Sequence, residues 1–177
     1  MSKKLSLRGS FLLDDNARMI DQRIFEYEAN DLTKGWIVEA AYIWPRSSRG
    51  EIGGSDGQYQ ACWSLATDTV GTLGFDDLCS ASDNRQIAWL QAGYQLRHST
   101  VSDFLANSGN PPNPAAFIVD PEHVVANGLW INGYTTSDSG ESPTRYWNYM
   151  VILRPKKLDP KETILHLIKN VAQDIVD

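Results

Sequence analysis

The sequence predicts a mainly β protein, an antiparallel β-sandwich or barrel followed by one amphipathic α-helix. Three observations predict it. Short runs rich in Ile, Val, Tyr, Trp and Thr recur along the 177 residues, clusters of Gly, Asp, Asn and Pro separate them, and 159–177 changes character to three-to-four apolar spacing.

In chain order the expected strands are Leu5 to Leu13, Gln22 to Glu28, Trp36 to Trp44, Gln58 to Ala66, Gln86 to Arg97, Ala116 to Val119, Val124 to Ala126, Leu129 to Thr135 and Arg145 to Arg154. In the third, Trp36, Val38, Ala40 and Tyr42 alternate with Ile37, Glu39, Ala41 and Ile43, so Glu39 interrupts a strand otherwise apolar on both sides. The run Ser82 to Tyr94 also fits a helical stripe through Ile87, Leu90, Gln91 and Tyr94. Its aromatics and Gly93 favour a strand.

The polar, glycine-rich segment from Arg46 to Gly57 and the proline-rich Asn107 to Pro114 read as loops, since proline removes a donor and restricts its predecessor. Neither is long enough for a domain linker, which leaves one β domain over 1–158. The segment Trp130 to Leu153 (WINGYTTSDSGESPTRYWNYMVIL) reads as a long hairpin with a bulge at Asn132-Gly133, and Arg154-Pro155 is expected to end sheet pairing. Over 159–177, Asp159 supplies an N-cap, Pro160 the first helical position and Glu162 the capping-box acid. Ile164, Leu165, Ile168, Val171, Ala172 and Ile175 then form one apolar stripe, which must dock on its own domain or on a neighbouring subunit.

Composition narrows the function. Net charge is −6, with acidic residues scattered rather than massed, which argues against a general nucleic-acid binder. The one basic cluster, Lys3, Lys4 and Arg8 in MSKKLSLR, reads as a solvated terminus. No apolar run is long enough to span a membrane and no signal peptide is recognised, so synthesis in the cytoplasm is expected. Cys62 and Cys79 match no metal-ligand spacing and read as two ordinary thiols, which pair only if the fold brings them together.

Catalytic patterns are thin. Gly53-Gly54-Ser55-Asp56-Gly57 matches the nucleophile elbow G-x-S-x-G, but neither an apolar strand before it nor a helix after it is present. His98, His123 and His166 show no metal-binding spacing; His123 reads as a turn residue whose nearest acid is Asp120, and His166 as a solvated helix residue. Adjacent acids such as Asp14-Asp15 point to opposite faces of a strand, and Asp76-Asp77 lacks the spacing of a calcium loop. No phosphate-cradling glycine loop occurs. Accordingly no catalytic residue, cofactor or metal is expected.

What stands out is aromatic content: six tryptophans and seven tyrosines, with every tryptophan in an expected strand. Tyr146, Trp147 and Tyr149 put aromatics on both faces of one strand, so one face needs a partner. The interface candidates are Trp130, Tyr134, Tyr146, Trp147, Tyr149, Ile168 and Ile175.

A short basic N-terminal arm, β-strands joined by long loops, and no active-site set together resemble small virion structural proteins, the shell or tail proteins built on a jelly-roll or related β-sandwich. That resemblance implies a jelly-roll-like fold, a non-enzymatic role, assembly into a symmetric homo-oligomer, contacts with other virion proteins, and residence in a virion. The arm is shorter than in genome-binding capsid proteins, so nucleic-acid contact is not expected beyond it. Two other readings stand beside this one: a carbohydrate-binding sandwich using exposed tryptophans, and a hydrolase assembled from His123, Asp120 and Ser55.

Overall fold

The computed structural model of the chain describes residues 3–14, 16–27, 33–46, 57–71, 78–96, 115–137, 144–159, 161–162 and 164–165. Among the described residues nine strands form: β1 (Leu5–Asp14), β2 (Arg18–Glu26), β3 (Lys34–Pro45), β4 (Gly57–Ala66), β5 (Gln86–Leu96), β6 (Ala115–Ala116), β7 (Ile118–Val119), β8 (Gly128–Ser137) and β9 (Thr144–Lys157). They make two antiparallel sheets, one ordered β1-β9-β3-β6 and the other β2-β8-β4-β5-β7. The ambiguous run that includes Gln86 is strand, as its aromatics suggested.

The two sheets share one core. Leu13, Val38, Ile43, Trp147, Val151 and Leu153 from the four-stranded sheet meet Ala61, Trp63, Leu65, Ile87, Leu129 and Ile131 from the five-stranded one. The alternation that makes this possible is visible along β9, where Trp147, Val151 and Leu153 are buried between half-buried neighbours. At its centre the Trp63 and Trp147 rings lie 5.0 Å apart, with Phe11 5.4 Å from Trp63.

Strand pairing runs from the outside of the chain inward. β1 pairs with β9, β2 with β8, β3 with β6, and β4 with β5, and these pairs alternate between the sheets. This corrects the expected hairpin: β8 and β9 do not pair, because the connection between them crosses from one sheet to the other. Nor is Asn132-Gly133 a bulge, since β8 pairs with β4 without interruption there. Gly133 is required because the Trp63 ring lies directly on its backbone, where any Cβ would overlap it. The bulge is on the facing strand, at Asp21 of β2, whose φ is 57°.

Pro155 does not end pairing either; β9 continues to Lys157. Trp36, opposite Pro155, spends its own N–H and C=O on Val125 at 3.0 and 2.7 Å, so the proline faces a position where β3 asks for no donor. On its other side β1 has already ended, its first pair being Leu5 with Leu153. The expected strand Ala116 to Val119 is split at Phe117, which drops into the core and sends Ala115–Ala116 to one sheet and Ile118–Val119 to the other. Val124 to Ala126 contributes only the single bridge from Val125 to Trp36. Glu39 is the extra residue where the β3 to β9 register shifts, which frees its side chain from the buried alternation.

Candidate interaction surfaces

Part of the outer face of the five-stranded sheet is covered by the chain itself. Cys62, Ser64 and Ala66 alternate with the inward Trp63 and Leu65, yet are only 2, 1 and 0 % exposed. Their cover is the connection from β4 to β5, which carries buried Val70 and Leu78. Three anchors hold its described parts. A disulfide joins Cys62 to Cys79, with Cα atoms 6.6 Å apart, which overturns the reading of two ordinary thiols; the fold does bring them together. The bulged Asp21 accepts hydrogen bonds from the N–H groups of Val70 at 2.7 Å and Gly71 at 3.1 Å. Its own N–H donates to Asn132 Oδ1 at 2.6 Å, which places a buried asparagine on an outward position of β8.

The third anchor is a fork. Arg85 donates through Nε and Nη2 to the two carboxylate oxygens of Asp83 at 3.0 and 2.9 Å, and through Nη1 to the Thr69 carbonyl at 3.2 Å. Burial alone would raise the Asp83 pKa, but the hydrogen bonds and charge of Arg85 outweigh it and hold the carboxyl below its ordinary value. The Arg85 pKa is raised in turn, chiefly by its hydrogen bond to Asp83.

The outer face of the four-stranded sheet is different. Across β1, β9 and β3 it presents Leu12, Tyr146, Met150, Ile152, Tyr42 and Trp44, paired side by side as Leu12 with Tyr146 and Tyr42 with Met150, with Ser6, Arg8, Ser10 and Asn148 between them. Among the apolar and aromatic ones Leu12 is exposed and the others are half-buried, so each keeps accessible surface. Arg46 lies over the Tyr146 ring, 4.9 Å from its centre.

The interface candidates therefore scatter. Tyr146 is on this uncovered face. Trp147 and Tyr149 point inward: Trp147 is 1 % exposed and belongs to the core, and Tyr149 stacks on Phe11 at 6.2 Å with its pKa raised by burial. Trp130 and Tyr134 lie on the outside of the other sheet, Trp130 beneath the Arg23 guanidinium at 5.5 Å. Tyr134 borders a concavity of about 440 Å³ with Gln60, Cys62, Gln91 and Ala92. Ile168 and Ile175 lie outside the described residues, as do Val171, Ala172 and His166.

The start of the C-terminal segment is described. Glu162 N–H donates to Asp159 Oδ1 at 2.7 Å and Asp159 N–H to Glu162 Oε2 at 3.1 Å, the reciprocal bonds of a capping box, and 161–162 and 164–165 are helical. The Glu162 pKa is lowered, first by the Asp159 N–H and then by Lys156, whose Nζ lies 3.2 Å from Oε1. Ile164 and Leu165, the first residues of the apolar stripe, are 56 and 61 % exposed.

Of the possible catalytic residues, Ser55, His98, Asp76 and Asp77 are outside the described residues. His123 is buried, with Nε2 3.4 Å from the Thr67 hydroxyl and Nδ1 3.9 Å from Asp120 Oδ2, beyond hydrogen-bond reach. Asp120 turns its other oxygen to the Glu122 N–H at 3.0 Å, so it shapes the turn that leads to Val124. Among the described residues no group of three or more His, Cys, Asp or Glu converges as metal ligands. No helix there is long and apolar enough to cross a membrane. No protein-family model matches the chain, and a comparison with curated proteins finds no match.

Proposed function

We propose that the chain is a non-enzymatic structural protein of jelly-roll type that self-assembles into a symmetric homo-oligomer, as a shell or tail component of a virion. The observation that carries this reading is the outside-in pairing of β1 with β9, β2 with β8, β3 with β6 and β4 with β5. That is the order expected of one long ribbon rolled about a core, the double-sheet architecture used by capsid proteins and also by lectins and cupins. Between those uses, the accessible Leu12, Tyr146, Trp44 and Tyr42, set among Ser10, Asn148 and Arg8 on one sheet face, favour assembly, because tyrosine, tryptophan and arginine are the usual anchors of protein interfaces. The capping box at Asp159 and Glu162, with Ile164 and Leu165 exposed just after it, suits an amphipathic helix over 159–177 that docks on a neighbouring subunit. The disulfide fits a protein made in the cytoplasm and oxidised once carried outside the cell in a particle. Light scattering on the purified chain tests the reading: the mass should be at least twice 19.8 kDa and a whole-number multiple of it, and a monomer at all concentrations would refute it.

A second reading, a carbohydrate-binding sandwich, is favoured by the concavity beside Tyr134, whose ring and two flanking glutamine amides suit a sugar. A glycan array with the wild-type chain and Tyr134→Ala separates the two readings, since binding lost in the variant would support the second.

A further inference from the structure

The outermost strands of the two sheets are β1, β6, β2 and β7, and they are unequal as edges. β6 and β7 have two residues each. β2 is broken by two register shifts, with Asp21 in the left-handed region. β1 alone among these described edges is long and regular: it pairs with β9 over ten consecutive residues without a shift and contains no proline. Among the described residues its anchor beyond β9 is at its last residue, where the Asp14 carbonyl accepts the Ala17 N–H at 3.2 Å and the Thr135 hydroxyl at 3.1 Å. A strand edge presents a row of N–H and C=O groups that templates another strand, and proteins blunt such edges with short strands, bulges or proline. The other three edges are blunted by shortness or irregularity; β1 carries only the outward charges of Lys4, Arg8 and Asp14, and among the described residues no strand pairs with its outer edge.

We propose that the outer edge of β1, unpaired among the described residues, is a self-association site at which it pairs antiparallel with β1 of a second copy, about a two-fold axis at Gly9. The proposal rests on the self-assembly reading above and names its surface. The sequence LSLRGSFLLD, preceded by Lys4, is self-complementary in this register. On the inward side Leu5 faces the partner's Leu13 and Leu7 faces the partner's Phe11, so apolar residues meet apolar ones. On the outward side Lys4 faces the partner's Asp14, an ion pair that symmetry repeats at the other end, while Ser6 faces the partner's Leu12 and Arg8 its Ser10. Lys4 and Asp14 are both exposed. Lys4 Nζ lies 2.6 Å from Glu39 and the Asp14 carboxylate accepts the Thr144 hydroxyl, which holds both ends of the strand in place. Shifts by one residue would set the apolar side against the polar one. The result joins two four-stranded sheets into one continuous sheet and aligns their uncovered faces side by side.

Sedimentation equilibrium on the full-length protein, from ~1 to ~100 µM, tests the site. The wild type should dimerise reversibly or assemble further. Lys4→Glu and Asp14→Lys should each weaken association about tenfold, because two attractive pairs become repulsive, while the double variant should return to within about threefold of wild type. Circular dichroism establishes that each variant is folded, and recovery in the double variant is something the loss of the Lys4 to Glu39 contact alone would not give. Association that ignores both reversals, or that the double variant fails to recover, would overturn the β1 edge while leaving self-assembly standing. A wild-type monomer throughout would overturn both.

Discussion

The two sheets treat their outer faces in opposite ways. The five-stranded sheet hides Cys62, Ser64 and Ala66 under its own chain, and that cover is fixed by a disulfide, by the bulged Asp21 and by the Asp83–Arg85 fork. The four-stranded sheet leaves Leu12, Tyr42, Trp44 and Tyr146 in reach of solvent, with a regular strand at its edge. A covered face needs anchors because a connection without secondary structure loses conformational entropy when it is held down. The proposed subunit contact takes the four-stranded sheet because its outer side chains keep accessible surface.

The largest effect should come from the core that both sheets share. Trp147→Ala removes a fully buried ring packed on Trp63 and should cost about 3–5 kcal/mol in a denaturant titration. A loss below about 1 kcal/mol would mean the ring is not where the two sheets meet. Next comes the staple on the covered face. Replacing Cys62 and Cys79 together by serine opens a link between residues 17 apart in sequence and should cost about 3 kcal/mol, with faster amide exchange in 67–71 and 78–85. Exchange that sped up equally in β1 would break the contrast between the faces.

Gly133→Ala should cost about 1–3 kcal/mol, because the new methyl meets the Trp63 ring and the β8 backbone beneath it cannot yield without disturbing pairs on both sides. The Asp83–Arg85 fork should show itself in pH. A carboxyl whose folded pKa lies below its ordinary 3.8 contributes stability that is complete above that value and is lost as pH falls below it through the folded pKa. Stability of the wild type should therefore fall more steeply than that of Asp83→Asn below pH 3.8, and the two curves should run parallel above it. Smallest of all, Leu12→Ser on the uncovered face should change monomer stability by less than about 0.5 kcal/mol while weakening association.

Much of the fold is legible residue by residue. The strand with Trp36, Val38, Ala41 and Ile43 announces itself through β-branched and aromatic residues, and the Asp159 to Glu162 capping box through four adjacent positions. These signals are local. Partner choice is not: nothing near Tyr146 says that its strand pairs with the start of the chain and not with the strand just before it, so the hairpin expected for Trp130 to Leu153 was the natural but incorrect inference. The same limit hid the Cys62 to Cys79 bond, since a disulfide depends on distance in space. Asp21 carried a faint signal, an acid in the middle of the apolar run MIDQRIF, which marks a bulge once its partners Asn132, Val70 and Gly71 are known. Trp147 and Tyr146 illustrate the remaining ambiguity: alternation separates their faces, but only the packed structure decides that Trp147 is the inward one.

Hydrogen exchange measured at rising protein concentration tests the contrast most directly. The amides of β1 should gain protection as concentration rises, while those of 67–71 and 78–85, already held by their own anchors, should not change. Unchanged exchange in β1 at concentrations where the protein is oligomeric, or new protection confined to the five-stranded sheet, would contradict the account.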